Sequence, residues 1–215
     1  IDTAQSYGSA EEAIGKFKPI NSKFKLISKL SNSDIYINLN NSSLIDYWEE
    51  SFKSTLKKLD VEMLDSLLVH DVEVFNTTKK SYLLDWLQSL KQRSLVKNIG
   101  VSIYSKEDLK LFPLERIDII QMPFSIYDQR LLQNGTLEML KNFNISIHLR
   151  SIFLQGLILT PSANWPNFIS KDFRKHHDRL MQYLRKENIN ILDFIFWYFS
   201  ENINPDVIVV GISSE

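Results

Sequence analysis

The sequence predicts an α/β fold with a parallel sheet, wound as a (β/α)8 TIM barrel. Short runs rich in Ile, Val and Leu recur at 24–29, 65–70, 98–102, 117–122, 145–151 and 206–211, and a stub at 1–3 brings the candidate strands to seven. Runs that apolar suit strands covered on both faces, as in a parallel sheet. Segments of helical period lie between them without a linker or a shift in composition, so 1–215 reads as one domain. The runs also end in polar or small residues: Asp2, Lys29, His70, Ser102, Gln121, Arg150 with Ser151, and Gly211 with Ser213. Two architectures accommodate this alternation, an open doubly wound sheet and a barrel. The G-x-G-x-x-G turn that follows the first strand of a dinucleotide-binding open sheet is absent. A barrel brings every strand end to one rim, where enzymes of this architecture place their chemistry.

Taken in order, IDTAQSYGSAEEAIG opens on the stub with Asp2 and passes Tyr7 before a helix that begins near Ser9. After the strand at 24–29, segment 43–59 sets Leu44, Trp48, Phe52, Leu56 and Leu59 on one stripe. Ser43 and Asp46 are spaced there as an Asp variant of a capping box. Segment 80–95 repeats the pattern with Leu83, Leu84, Leu87 and Leu90. Ser105 and Asp108 open a shorter helix, 135–143 forms another, and 172–187 and 191–202 complete the series. The last carries Phe194, Phe196, Trp197, Tyr198 and Phe199, a stripe read as core packing rather than a cofactor box.

Composition narrows the function classes. At 215 residues, 44% hydrophobic and 24% charged, the chain is long enough to bury a sizeable core. A formal net charge of -1 and the lack of a basic stripe give no support for a nucleic-acid or acidic-membrane partner. Without cysteine there is no disulfide, thiolate metal site or Cys nucleophile. No apolar run approaches the roughly 20 residues that span a bilayer, and no signal-peptide pattern opens the chain. The expectation is a cytoplasmic protein, monomeric or weakly homo-oligomeric, acting on a small molecule. G-x-S-x-G does not occur, and no carboxylate and histidine cluster has metal spacing, so hydrolase readings and a metal site rank low.

Tyr7, Lys29, Asp2 and His70 make a proton-donating set. A phenol of pKa about 10 is a poor acid at neutral pH, and a cationic Lys29 beside it is expected to lower that value. Asp2 would keep Lys29 charged and oriented, and His70 would hydrogen-bond a carbonyl oxygen. Such a set suits carbonyl reduction by hydride from a nicotinamide.

In their order along the chain, IDTAQSYGSAEEAIG, ISK, LDSLLVH, LVKNIGVSIYSKEDL, IDIIQMPFSIYDQRLL, RSIFLQGLIL and VIVVGISS resemble the aldo-keto reductase family across nearly the whole length. The resemblance implies a (β/α)8 barrel, NADPH-dependent reduction of aldehydes or ketones, and no metal. It matches Asp2, Tyr7, Lys29 and His70 to the catalytic four, with Tyr7 as general acid. Ser102 and Gln121 match positions that hold the nicotinamide carboxamide. Ser151, Gly156 and Leu157 match the loop along the cofactor's phosphates, and Gly211, Ser213 and Ser214 the segment that cradles its adenosine phosphate end.

Departures from the family pattern set further expectations. Arg150 stands where many members place an aromatic that stacks on the nicotinamide, and a planar guanidinium can stack in its stead. Ser94 replaces a helix-ending Gly and is expected in a left-handed conformation. Against the family pattern, the first strand and the closing helix fall outside 1–215, which predicts an incomplete barrel, open or closed by another chain, with exposed edges. A non-catalytic remnant or cofactor-sensing module is therefore the rival expectation. His148 reads as structural, and His176 and His177, adjacent on a helix, do not share a face for a metal. Trp165 and Phe168 are equally suited to line a substrate pocket or to seal the outer ring.

Overall fold

The computed structural model describes residues 1–17, 23–30 and 39–211, with the backbone alone at 133 and 134. In chain order the elements are α1 (Ala10–Lys16), β1 (Ile27–Leu30), α2 (Asn41–Leu59), β2 (Leu64–Val69), α3 (Lys80–Gln92) and β3 (Val96–Ser102). They continue with β4 (Ile119–Pro123), α4 (Thr136–Asn142), β5 (Ser146–Arg150), α5 (Lys171–Lys186), α6 (Ile191–Asn202) and β6 (Val207–Ile208). Short 3-10 turns join several of them.

The sheet runs β1-β2-β3-β4-β5-β6, with every neighbour parallel. A doubly wound sheet reverses its order at a switch point, whereas barrel staves follow one another in sequence. The observed order is therefore that of an incomplete (β/α)8 barrel. Asp2 makes one parallel bridge to Ile27, placing the 1–3 segment as a further stave before β1. Its backbone bonds are Ile27 N–H to Ile1 O, 2.9 Å, and Thr3 N–H to Ile27 O, 2.8 Å. Among the described residues no pairing joins β6 to this segment, so the ring is open there. The run expected at 206–211 yields a strand of only two residues. Among the described residues β6 pairs with β5 alone, and Val207 and Val210 stay exposed.

Alternation along the strands separates two interiors. One face packs Leu67, Val69, Ile99, Val101, Ile120, Ile147 and Leu149 with Trp48 and Phe52 of α2, Leu83, Leu87 and Leu90 of α3, and Ile195 and Phe199 of α6. The other encloses a small separate cluster of Ile27, Leu68 and Ile119. Two residues further along the same face come Lys29, His70 and Gln121, and Ser102 follows Gly100 in the same way. An apolar floor thus lies under a polar rim.

Several local expectations change. α2 is capped by Asn40, whose side chain accepts from Ser43 N–H at 2.9 Å, so Ser43 lies inside the helix and the Ser43/Asp46 box does not form its start. The helix expected at Ser105 is a 3-10 turn, Glu107–Lys110, because Asp108 accepts from Tyr104 N–H, Ser105 N–H and the Ser105 hydroxyl. Of the aromatics on α6, Phe199 is buried, Phe194 and Tyr198 are half-buried, and Phe196 and Trp197 are exposed, so the stripe is core on one side only. Ser94 does adopt the left-handed conformation, with φ 57°.

α1 lies against the end of α2 at Gly15, where an added Cβ would stand 2.0 Å from Lys58 O. Gly15→Ala should destabilise the fold by about 1–3 kcal/mol through overpacking. Urea unfolding measures this directly, and an unchanged midpoint would mean that α1 yields without cost.

Candidate active site

The barrel's polar rim is organised by one buried cation. Lys29 is 1% exposed, and its Nζ donates to Asp2 Oδ2 at 2.6 Å and to Thr3 O at 2.9 Å. β1 aims the side chain inward because Ile27 and Lys29 alternate with Ser28, which faces the helices. Gln121 Nε2 donates to Asp2 Oδ1 at 2.9 Å, so both carboxylate oxygens are occupied and Asp2 bridges β1 to β4. Burial pushes the Lys29 amine down, and the Asp2 charge and hydrogen bond oppose that shift.

Tyr7 covers the pair. Lys29 Nζ is 5.2 Å from the centre of its ring, and the ring meets His70 edge-on with centroids 5.8 Å apart. The expectation that Lys29 lowers the phenol's pKa is not met. Burial raises it first and Asp2 raises it further, against an opposing pull from Arg150. Tyr7 consequently keeps its proton throughout the neutral range. His70 is pushed down by burial, then by Lys29 and Arg150, which favours the neutral ring. Its Nδ1 is 3.2 Å from Ser6 Oγ.

Beside this group, Ser102 and Gln121 are register partners on β3 and β4. Ser102 Oγ and Gln121 Oε1 are both buried and meet no hydrogen-bond partner among the described residues, as is true of His148 Nδ1 and Thr3 Oγ1. A hydroxyl that donates next to an amide oxygen that accepts is the complement of a carboxamide, so these residues fit the nicotinamide end of a dinucleotide. Arg150 lies on the rim with its guanidinium 4.4 Å from the centre of the Tyr104 ring, and its Nη2 donates to Ile103 O at 3.2 Å. One of its faces is therefore covered by protein.

The remaining candidates are spread along the rim. Ser151, Gly156 and Leu157 occupy the loop after β5, where Ser151, Leu154, Gln155 and Gly156 all have positive φ. No described contact joins them to the Lys29 group. Gly211 is exposed beyond β6, and Ser213 and Ser214 lie outside the described residues. Trp165 and Phe168 part company. The Trp165 indole N–H donates to Leu157 O and Thr160 O, both at 2.9 Å, and the ring packs on His177 at 4.7 Å, which makes it a seal. Phe168 is 85% exposed and seals nothing. His177 Nδ1 meets Tyr127 Oη at 2.9 Å, and among the described residues no cluster suited to a metal occurs. Two contributors escaped the sequence reading: Tyr104 as the support of Arg150, and Gln121 as a second partner of Asp2. Tyr104 lies two residues beyond Ser102 and was findable only from that position.

The aldo/keto reductase family model matches residues 1–214. The chain belongs to the aldo/keto reductase family. As an aldo/keto reductase it is an oxidoreductase, in keeping with its named dehydrogenase and reductase relatives. D-arabinose 1-dehydrogenase of Saccharomyces cerevisiae is 23% identical over 245 residues, covering 100% of this chain and 68% of its own. The structure of glycerol dehydrogenase from Gluconobacter oxydans matches with TM-score 0.73 at 20% identity, over 97% of this chain and 70% of that one. An aldo/keto reductase from Klebsiella pneumoniae, in complex with NADP and acetate, matches with TM-score 0.73 at 16% identity, over 98% and 69%. Among the described residues of this aldo/keto reductase no helix is long and apolar enough to cross a membrane.

Buried His148 and His177 and half-buried His70 give the reductase a defined pH response. Burial is the leading cause that lowers His70, His148 and His177. Their folded values lie below the unfolded value of about 6.5, so the unfolded chain binds more protons and stability rises with pH through that window. The urea midpoint should therefore fall as pH drops from about 7 to 5.5, and His148→Gln should flatten the slope. A midpoint constant over that range, or rising on acidification, would contradict the sign.

Proposed function

We propose that the protein reduces an aldehyde or ketone to an alcohol with NADPH, and that Tyr7 delivers the proton. The reading rests above all on the buried Asp2–Lys29 pair, with the Tyr7 ring set between Lys29 and His70. The bound nicotinamide would supply the hydride to the carbonyl carbon. Tyr7 holds its proton until the carbonyl oxygen gains charge, because its resting pKa is raised. Proton transfer leaves a phenolate, and the Lys29 cation stabilises that new charge. Asp2 and Gln121 hold Lys29 in place.

Ser6 Oγ lies 3.2 Å from His70 Nδ1; in the tautomer where that nitrogen accepts, neutral His70 would carry its proton on Nε2 and offer it to the substrate oxygen. Ser102 and Gln121 would bind the carboxamide through their unpaired oxygens. Arg150 would present its uncovered face to the nicotinamide ring. Ser151, Gly156 and Leu157, with Gly211, Ser213 and Ser214, would follow the phosphates. NADP(H) as the cofactor is supported by Klebsiella pneumoniae relatives in complex with NADP and with NADPH. A small carbonyl compound as the substrate, a cytoplasmic place of action and a monomeric or weakly associated state complete the reading.

Tyr7→Phe should lower turnover by about 10²–10⁴-fold while NADPH still binds, as followed by its fluorescence and by absorbance loss with a nitrobenzaldehyde. Turnover that persists would remove Tyr7 from its role, and wild-type binding without turnover would favour the sensing module instead. Ser102→Ala combined with Gln121→Leu should weaken NADPH binding at least tenfold, a loss of about 1.4 kcal/mol. Unaltered affinity would place the carboxamide elsewhere.

A further inference from the structure

On the outer side of β1, back to back with Lys29, lies a buried carboxylate that the proposed chemistry leaves unused. Glu11 is 2% exposed. Its Oε1 accepts from Ser28 Oγ at 2.7 Å and its Oε2 from Thr55 Oγ1 at 3.4 Å. Thr55 Oγ1 in turn accepts from Gln5 Nε2 at 3.0 Å, and Gln5 Nε2 also reaches Ser51 O at 3.4 Å. Among the described residues no cation meets Glu11. A carboxylate buried on neutral donors is an expensive way to hold a helix against a strand, since apolar packing at such a site is often as stable or more so.

The placement of its partners accounts for it. Ser28 immediately precedes Lys29 on β1, and on a strand the two side chains point to opposite faces. Gln5 is two residues before Tyr7, and its backbone N–H donates to Lys29 O at 3.1 Å. The loop then closes on itself through Tyr7 N–H to Ala4 O, 3.0 Å, and Ala10 N–H to Tyr7 O, 3.1 Å, which leads into α1 and Glu11. Every donor in the chain Gln5 to Thr55 to Glu11, and Ser28 to Glu11, points towards one acceptor. The network therefore grips, from behind, both the strand that aims Lys29 and the loop that carries Tyr7.

We infer that Glu11 is a positioning residue: with Ser28, Thr55 and Gln5 it sets the Tyr7 ring relative to Lys29 and His70. This rests on the reading of Tyr7 as the proton donor. A displacement of about 1 Å at a reacting group is worth on the order of 10²-fold in rate, so a modest shift of the loop has a measurable effect.

The test uses the full-length protein with Glu11→Ala, the milder Ser28→Ala and Thr55→Val, and Leu90→Ala as a destabilised control in the core far from the rim. Each variant is first checked for native circular dichroism. Glu11→Ala should lower kcat at least tenfold while the NADPH dissociation constant stays within about twofold. Ser28→Ala and Thr55→Val should each fall part of the way, Glu11→Gln should restore most of the rate, and Leu90→Ala should keep it. A second readout needs no turnover. The NMR contact between the Tyr7 and His70 rings should weaken in Glu11→Ala and persist in Leu90→Ala. If folded Glu11, Ser28 and Thr55 variants all retain kcat and the ring contact, the network only packs and the inference is overturned. If Glu11→Ala does not fold, the two milder variants decide by the same criteria. Failure of the Tyr7 reading is separate: Tyr7→Phe would then turn over, whatever the ring contact does in the Glu11 variants.

Discussion

A lysine 1% exposed inside a barrel imposes a demand on everything near it. Removing an ammonium from water is costly unless an opposite charge and further acceptors meet it. Here they are Asp2 Oδ2 at 2.6 Å and Thr3 O at 2.9 Å, both from the segment that precedes β1. The pair therefore staples the first stave to the second as well as creating local charge. Gln121 occupies the other Asp2 oxygen and carries the constraint across the barrel to β4, 119 residues away in sequence. Replacing one partner alone would leave the other charged and buried, so the pair is kept or lost as a unit.

The same constraint divides the sheet's two faces into different tasks. The apolar floor of Ile27, Leu68 and Ile119 fixes how deep the polar layer can sit. Lys29, His70, Ser102 and Gln121 then fall two residues further on, so the strand period alone delivers them to one level. On the outer face the large cluster that includes Trp48, Phe52, Leu87 and Phe199 supplies the burial that holds the staves. β6 is where this support thins, with two paired residues and an exposed outer edge.

The succession of staves and the polar rim were legible in the sequence because they depend on period and strand ends, which local pattern records; Asp2, Tyr7, Lys29 and His70 are also brought together. Hydrophobic runs also located every strand to within a few residues. What escaped depends on contacts between distant segments. Nothing local marks Asn40 rather than Ser43 as the cap of α2, since both are good capping residues a short step apart. The aromatic run on α6 reads as core because composition is blind to direction, and only packing tells Phe199 from Trp197. The shift of the Tyr7 phenol was misread for a related reason. Lys29 and Asp2 are both visible as charges in the sequence, but the burial that raises the phenol first is visible only in three dimensions.

The raised Tyr7 phenol records the balance of these forces. Burial is its first cause and the Asp2 charge its second, with Arg150 opposing, so the ring stays protonated beside a buried ammonium. On the reading of Tyr7 as the proton donor, the charge left on its oxygen after transfer would lie in a partly desolvated site, where an ammonium acts more strongly than in water. The size of that interaction depends on where the ring sits, and its centre is 5.2 Å from Lys29 Nζ. The segment that carries the ring is tied to β1 and α2 by Gln5 N–H to Lys29 O, by Ser28 Oγ to Glu11 and by Thr55 Oγ1 to Glu11.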